Sequence, residues 1–160
     1  MIRRDTPLLR WFSIALAFVL MVLPMPAWLQ ALRPFVLALV VVFWALETPK
    51  HMGLFRVMLI GLMLDLAGFT LLGESALRLL LIAGFVLQFR SQLRFYPVWQ
   101  QSLFLMALLY LDMLLLWVLR AVQQVPLPPM ESWLSPVLAF LLWPWLYMLL
   151  DNIRMQNRLT

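Results

Sequence analysis

The chain has 160 residues, of which 65% are hydrophobic and 12% are charged, and its formal net charge is +5 at pH 7. Soluble domains contain about 45–50% apolar and about 25% charged residues, so this composition cannot cover a globule that faces water. The sequence contains no cysteine, which excludes disulfides, thiolate metal sites and cysteine nucleophiles.

Six apolar segments are candidate membrane spans. In chain order they cover residues 11–29, 34–46, 53–72, 76–89, 98–119 and 133–150. A span needs about 20 mostly apolar residues, and a backbone in lipid must form helices or a closed barrel. The sequence has long apolar runs and lacks the alternating pattern of a barrel. We therefore predict one all-α, polytopic membrane bundle over residues 1–160. The second and fourth spans are short, which neighbouring helices or a thinner bilayer can accommodate.

The basic residues predict the orientation of these spans. With a cytoplasmic N-terminus, nine of the twelve basic residues lie on the cytoplasmic side. They are Arg3, Arg4, Arg10, Lys50, Arg56, Arg90, Arg94, Arg154 and Arg158, whereas Arg33, Arg78 and Arg120 lie outside. The positive-inside rule therefore predicts two cytoplasmic termini. The net charge is explained by topology, and we predict no nucleic-acid binding.

One carboxylate interrupts the third predicted span, "GLMLDLAGFTLLG", residues 61–73. At 100° per residue, Gly61, Asp65 and Gly68 share one face of a helix. Small residues let helices approach closely, and an ionised group that faces lipid costs at least ~2.5–3.5 kcal/mol. We therefore expect Asp65 to face a neighbouring helix. Two interpretations stay open, a hydrogen-bonded packing residue and a proton or ligand site.

Three more polar residues complete a candidate intramembrane site with Asp65. Asp112 lies at a similar depth in the fifth predicted span, and Gln101 precedes it on the same face. Arg78, near the outer end of the fourth span, is the cation within reach of either acid. Because the sequence has one histidine, His51, and no nucleophile-elbow, zinc-protease or phosphate-loop pattern, we predict no catalytic residue, metal or cofactor.

The last predicted span contains "LLWPWLYML", residues 141–149. Pro144 removes a helical hydrogen bond and predicts a kink. Trp143 and Trp145 flank the proline on different faces of the helix. They are either anchors at the membrane interface or walls of a groove for a partner.

The order of these features resembles the family of the rod shape-determining protein MreD. A basic N-terminus and "RWFSIALAFVLMVLPMP" are followed by "LRPFVLALVVVFWALETPKH", the Asp65 segment, "WQQ" at residues 99–101 and "LLWPWLYML". The positions that carry the resemblance are Arg33, Pro34, Pro49, Gly61, Asp65, Gly68, Gly73, residues 99–101 and residues 143–145. The resemblance covers almost the whole chain, and none of these positions forms a catalytic motif.

The resemblance implies a non-enzymatic scaffold of the cell-elongation machinery in the bacterial inner membrane, which supports lateral peptidoglycan synthesis. Such a protein binds an MreC-type single-span protein and membrane lipid. Through the partner it reaches the actin-like MreB, a glycosyltransferase and a class B transpeptidase. The Gly61 and Gly68 stripe and residues 143–145 would receive the partner's helix. The family's fold is also said to resemble the substrate-binding membrane subunits of vitamin transporters, so the alternative is a subunit that binds a small molecule or lipid near Asp65 and Asp112.

Overall fold

The computed structural model describes residues 7–68 and 70–159, and this part of the chain is helical. The elements are α1 (Pro7–Val22), α2 (Ala27–Leu32), α3 (Val36–Glu47), α4 (Leu54–Gly68), α5 (Glu74–Gln88), α6 (Arg90–Leu93), α7 (Val98–Val122), a 3₁₀ helix (Met130–Leu134) and α8 (Ser135–Leu159). The predicted all-α class is confirmed. Arg3 and Arg4, which contribute to the predicted orientation, lie outside the described residues.

Helix α3 forms the centre of the bundle. Every residue from Leu37 to Leu46 is buried, with at most 3% of its surface exposed. A helix that is apolar on all sides needs neighbours on all sides, and α1, α5 and α8 pack against it. Helix α4 packs on α5 and α1, and α7 packs on α5 and α8. The 12 residues of α3 span about 18 Å, and this short helix is shielded from lipid by its neighbours.

Proline interrupts the helix within the first predicted span, residues 11–29, which is therefore not one continuous helix. Helix α1 ends at Val22, and α2 forms separately after Pro24 and Pro26. Each proline lacks an N–H and disfavours helical geometry in the residue before it, so two prolines in close succession end the helix. Pro34 similarly lies between α2 and α3.

The last predicted span, residues 133–150, lies within a longer helical region. Helix α8 continues to Leu159, beyond the apolar segment, and Pro144 lies within it. Its extra turns carry polar side chains, which end the apolar pattern but do not end the helix. Asp151 and Arg154 form an i,i+3 ion pair at 3.0 Å on these turns, a spacing that supports helix.

Among the described residues, three segments are long and apolar enough to cross a membrane by length and composition. They are Ala27–Glu47, which joins α2 and α3, Val98–Val122 and Met130–Gln156. The apolar helix Pro7–Val22 is shorter. Helices α4 and α5 have 15 residues each, below the usual length of about 20. The helical membrane character of the chain is therefore supported, whereas six spans and a single domain over residues 1–160 stay predictions.

The helices define two ends of the bundle, which we call the Arg33 end and the Glu47 end. At the Arg33 end, the Ser135 hydroxyl of α8 donates to the Arg33 carbonyl at 2.9 Å. At the Glu47 end, the guanidinium of Arg154 pairs with Glu47. Helices α1, α4 and α7 run towards the Arg33 end, and α3, α5 and α8 run away from it.

Candidate functional site

Asp65 joins the end of α4 to the start of α5. Its side chain is fully buried. Oδ1 accepts hydrogen bonds from the Ser75 backbone N–H at 2.9 Å and the Thr70 hydroxyl at 3.0 Å. Oδ2 accepts one from the Gly73 backbone N–H at 2.9 Å. The first N–H groups of a helix lack partners within it and favour a negative charge, so Asp65 acts as a cap for α5.

Glycine is required at two positions of this helix pair. Gly73 precedes α5 with φ +98°, a conformation that residues with a side chain rarely adopt. At Gly61, an added Cβ would lie 2.4 Å from the Ala76 Cα of α5. Helix α5 of the same chain therefore fills the face on which a partner's helix was expected. At Gly68 the described atoms within 4 Å of an added Cβ belong to the Thr70 side chain, the nearest at 3.7 Å, and none of them belongs to a neighbouring helix.

Arg78 of α5 pairs with Asp112 of α7. Arg78 Nε lies 2.9 Å from Asp112 Oδ1, and Nη2 lies 2.7 Å from Oδ2. Asp112 is only 2% exposed, and the Arg78 guanidinium lies 4.7 Å from the centre of the Phe35 ring. A second ion pair, Arg120 with Glu74 at 3.2 Å, joins the same two helices nearer the end of α7. Both pairs hold α5 against α7.

The four residues of the predicted intramembrane site do not form one cluster. Gln101 donates through its amide to the carbonyls of Leu93 at 2.9 Å and Tyr96 at 3.3 Å, close to the Glu47 end. It precedes Asp112 by eleven residues, about 16 Å along α7. Of the four residues, Arg78 and Asp112 are the two that the structure shows in contact.

The two tryptophans beside Pro144 lie in different surroundings. Trp143 is fully buried in the core, whereas Trp145 is 77% exposed. The Trp143 ring packs against Tyr147, with 5.9 Å between the ring centres. Trp143 therefore belongs to the packing of this chain, and Trp145 lies on its surface.

The Arg33 end contains a feature that the sequence analysis missed. Two adjoining cavities of about 250 and 320 Å³ share Gln30 and Ser132 in their walls. Arg33 and Arg78 line the first cavity, and Arg120 lines the second. These three arginines are the ones that the charge pattern placed outside. Their departure from the positive-inside pattern was a signal that could have drawn attention to this end.

A metal site finds no support within residues 7–68 and 70–159. No group of three histidine, aspartate or glutamate side chains lies close enough there to hold an ion. The buried carboxylates instead accept hydrogen bonds from backbone N–H groups or pair with arginine.

The apolar central helix, the exposed apolar side chains around it and the three membrane-length segments define a helical membrane protein. The chain belongs to the MreD family, because the family model of rod shape-determining protein MreD matches residues 2–153. The chain is similar to the rod shape-determining protein MreD of Haemophilus influenzae, with 30% identity over 156 residues, which cover 95% of this chain and 96% of that protein. The predicted resemblance is confirmed, and the family is one of non-enzymatic, shape-determining membrane proteins. No solved structure matches the chain, so the likeness to vitamin-transporter subunits stays a prediction.

Proposed function

We propose that this protein is a scaffold of the elongation machinery in the bacterial inner membrane, which binds an MreC-type single-span protein and works without turnover. The match to the MreD family over residues 2–153 carries this proposal. Through the partner, the scaffold would connect to actin-like MreB, a glycosyltransferase and a class B transpeptidase, and so support lateral peptidoglycan synthesis. The polar contacts of Asp65, Gln101 and Asp112 favour a structural role for these residues, since each makes hydrogen bonds within the chain.

We place the partner's helix on the exposed face of α8. Leu141, Trp145, Met148 and Leu149 are each more than half exposed. Their spacing of i, i+4, i+7 and i+8 puts them on one side of the helix. Helices associate in lipid through close packing along a long contact, and this face offers a continuous apolar surface with an aromatic ring at its centre. Gly61 is not part of this surface, because α5 covers it.

Replacing Trp145 with alanine should weaken the complex with the MreC-type partner by roughly tenfold or more, as expected when a central aromatic contact is lost. Trp143→Ala should instead reduce the folded yield of the chain alone, because Trp143 fills the core. The measurement is co-purification of the two proteins in mild detergent after co-expression. Phe55→Ala is the matched control, since Phe55 is 68% exposed on α4.

Equal loss of partner with Phe55→Ala and Trp145→Ala, or no loss with either, would reject the α8 surface. The scaffold proposal itself would fail if the wild-type protein showed no affinity for the partner and bound a vitamin-like solute. That result would favour the alternative, a small-molecule-binding subunit.

We further propose six spans with both termini in the cytoplasm, on the strength of the nine-to-three division of basic residues. The chain has no native cysteine, so single cysteines can report the orientation directly. In intact spheroplasts, a membrane-impermeant thiol reagent should label Gln124→Cys and leave Asn157→Cys unlabelled until the membrane is opened. Labelling of Asn157→Cys in sealed spheroplasts would reverse the proposed orientation.

A further inference from the structure

Arg33 lies between cavities of opposite chemical character. On one side, a cavity of about 300 Å³ has an apolar wall apart from Arg33 itself, with Leu20 and Leu138 among its residues. On the other side, the cavity of about 250 Å³ contains Arg78 and Ser132. Sites of this size hold small ligands, and an amphiphile needs an apolar and a charged compartment side by side.

The charges at this end leave one arginine without a carboxylate. Asp112 neutralises Arg78, and Glu74 neutralises Arg120. Among the described residues, by contrast, the partners of the Arg33 guanidinium are backbone carbonyls. The cavity walls therefore carry one positive charge that the ion pairs do not balance, which suits a ligand group with a single negative charge.

The walls of these cavities also include donors without an acceptor. The Nε–H groups of Arg33 and Arg120 are buried and have no acceptor in the part of the chain that the structure describes. The side chains of Gln30 and Ser132 line both polar cavities. An oxyanion with several acceptor oxygens satisfies such a set of donors, and a guanidinium is well suited to phosphate.

The short helix α2 lies next to these cavities and has no buried residue. Its Trp28 is 67% exposed, and tryptophan prefers the level of the lipid headgroups. Arg33 follows α2 directly, and in the proposed topology this position would lie near the level of the phospholipid phosphates.

We propose that the Arg33 end binds the phosphate of an anionic phospholipid, with the phosphate beside Arg33 and an acyl chain in the apolar cavity lined by Leu20 and Leu138. In the proposed topology this lipid belongs to the outer leaflet. The interaction does not require the scaffold's protein partner. Arg33 also caps the end of α1 through the carbonyls of Met21 and Leu23, but capping alone does not account for the paired cavities.

Native mass spectrometry of the full chain released from nanodiscs tests this site. With equal amounts of phosphatidylglycerol and phosphatidylcholine, we expect roughly tenfold preferential retention of phosphatidylglycerol, the scale of one good charged contact. Arg33→Gln should abolish most of that preference. The matched control is Arg56→Gln, because Arg56 also donates to a backbone carbonyl, that of His51, but lies at the Glu47 end.

A second variant separates lipid binding from the capping of α1. Leu29→Trp adds bulk to the wall of the apolar cavity, leaves every charge in place and should reduce lipid retention. Soluble glycerol phosphate should not displace the lipid, because it lacks the acyl chain. The proposal would be overturned if both lipids were retained equally, or if Arg56→Gln caused the same loss as Arg33→Gln. It would also be overturned if Leu29→Trp left retention unchanged, or if glycerol phosphate displaced the lipid.

The same variants distinguish this inference from the scaffold proposal. Arg33→Gln and Leu29→Trp should still co-purify with the MreC-type partner, since the proposed partner surface lies on the exposed face of α8. Loss of lipid with the partner retained supports a separate lipid site. Loss of partner without loss of lipid would overturn the assignment of these cavities to lipid.

Discussion

Replacing Gly61 with leucine should prevent the isolated chain from folding, and Gly61→Ala should already destabilise it. An added Cβ would lie 2.4 Å from the Cα and 2.8 Å from the N of Ala76. These are backbone atoms, so neither can move aside without displacing α5. Overpacking by a few methylenes typically costs about 1–3 kcal/mol, and a clash with backbone lies at or above the upper end of that range. The separation of α4 and α5 would in turn remove the cap that Asp65 provides to α5.

Gly84→Ala is the matched control for this prediction. Gly84 lies within α5, and an added Cβ there would meet no atom within 4 Å. Alanine is favoured over glycine in a helix by up to about 1 kcal/mol, so Gly84→Ala should be neutral or stabilising. The measurement is the thermal unfolding temperature and the monodisperse yield of each variant in the same detergent, without partner. Normal folding of Gly61→Leu together with loss of the partner would show that Gly61 faces a partner and not α5.

Gly61 shows why part of this site could not be predicted. A small residue within an apolar helix indicates a close helix contact, but the pattern is the same for a helix of the same chain and for a partner's helix. The choice depends on how the chain turns between α4 and α5. Asp65 participates in that turn through the backbone N–H groups of Gly73 and Ser75, which leave no signature in side-chain identity.

Other features of the fold and of the candidate site could be predicted from the sequence. The apolar composition and the long runs predicted an all-α fold, and Arg78 was predicted as the cation within reach of Asp112. The prolines at 24 and 26 could have predicted that α1 ends near Val22. The apolar residues continue past them, however, and this favoured a longer predicted span. The cavities at the Arg33 end were harder to foresee, because α2, α7 and the 3₁₀ helix contribute to them from distant parts of the chain.

Replacing one member of the Arg78–Asp112 ion pair should lower the stability of the protein far more than replacing both members together. Asp112→Leu leaves the Arg78 guanidinium largely buried, with 17% of its side chain exposed, and without its carboxylate. Removing one member of a buried pair costs about 3–5 kcal/mol, whereas replacing both with apolar residues is often close to neutral. We therefore expect Asp112→Leu and Arg78→Met each to lower the unfolding temperature strongly, and the double variant to recover most of the loss.

The ion pair of Arg120 and Glu74, which joins the same two helices, provides a comparison for the loss of stability expected at Arg78 and Asp112. Arg120 is 26% exposed and meets the 7% exposed Glu74 through one contact at 3.2 Å, and Glu74 lies in the first turn of α5, where a negative charge is favoured, so Arg120→Gln should cost less than Asp112→Leu. Thermal unfolding of the wild type, both single variants and the double variant in one detergent gives the coupling energy directly. A double variant no more stable than the weaker single variant would mean that Arg78 and Asp112 do not stabilise the bundle as a pair.

A double variant that folds and binds the partner, but fails to restore rod shape in cells lacking the protein, would give the pair a role beyond packing. Under the scaffold proposal we expect it to restore rod shape, since the helix contact survives when both charges are replaced together.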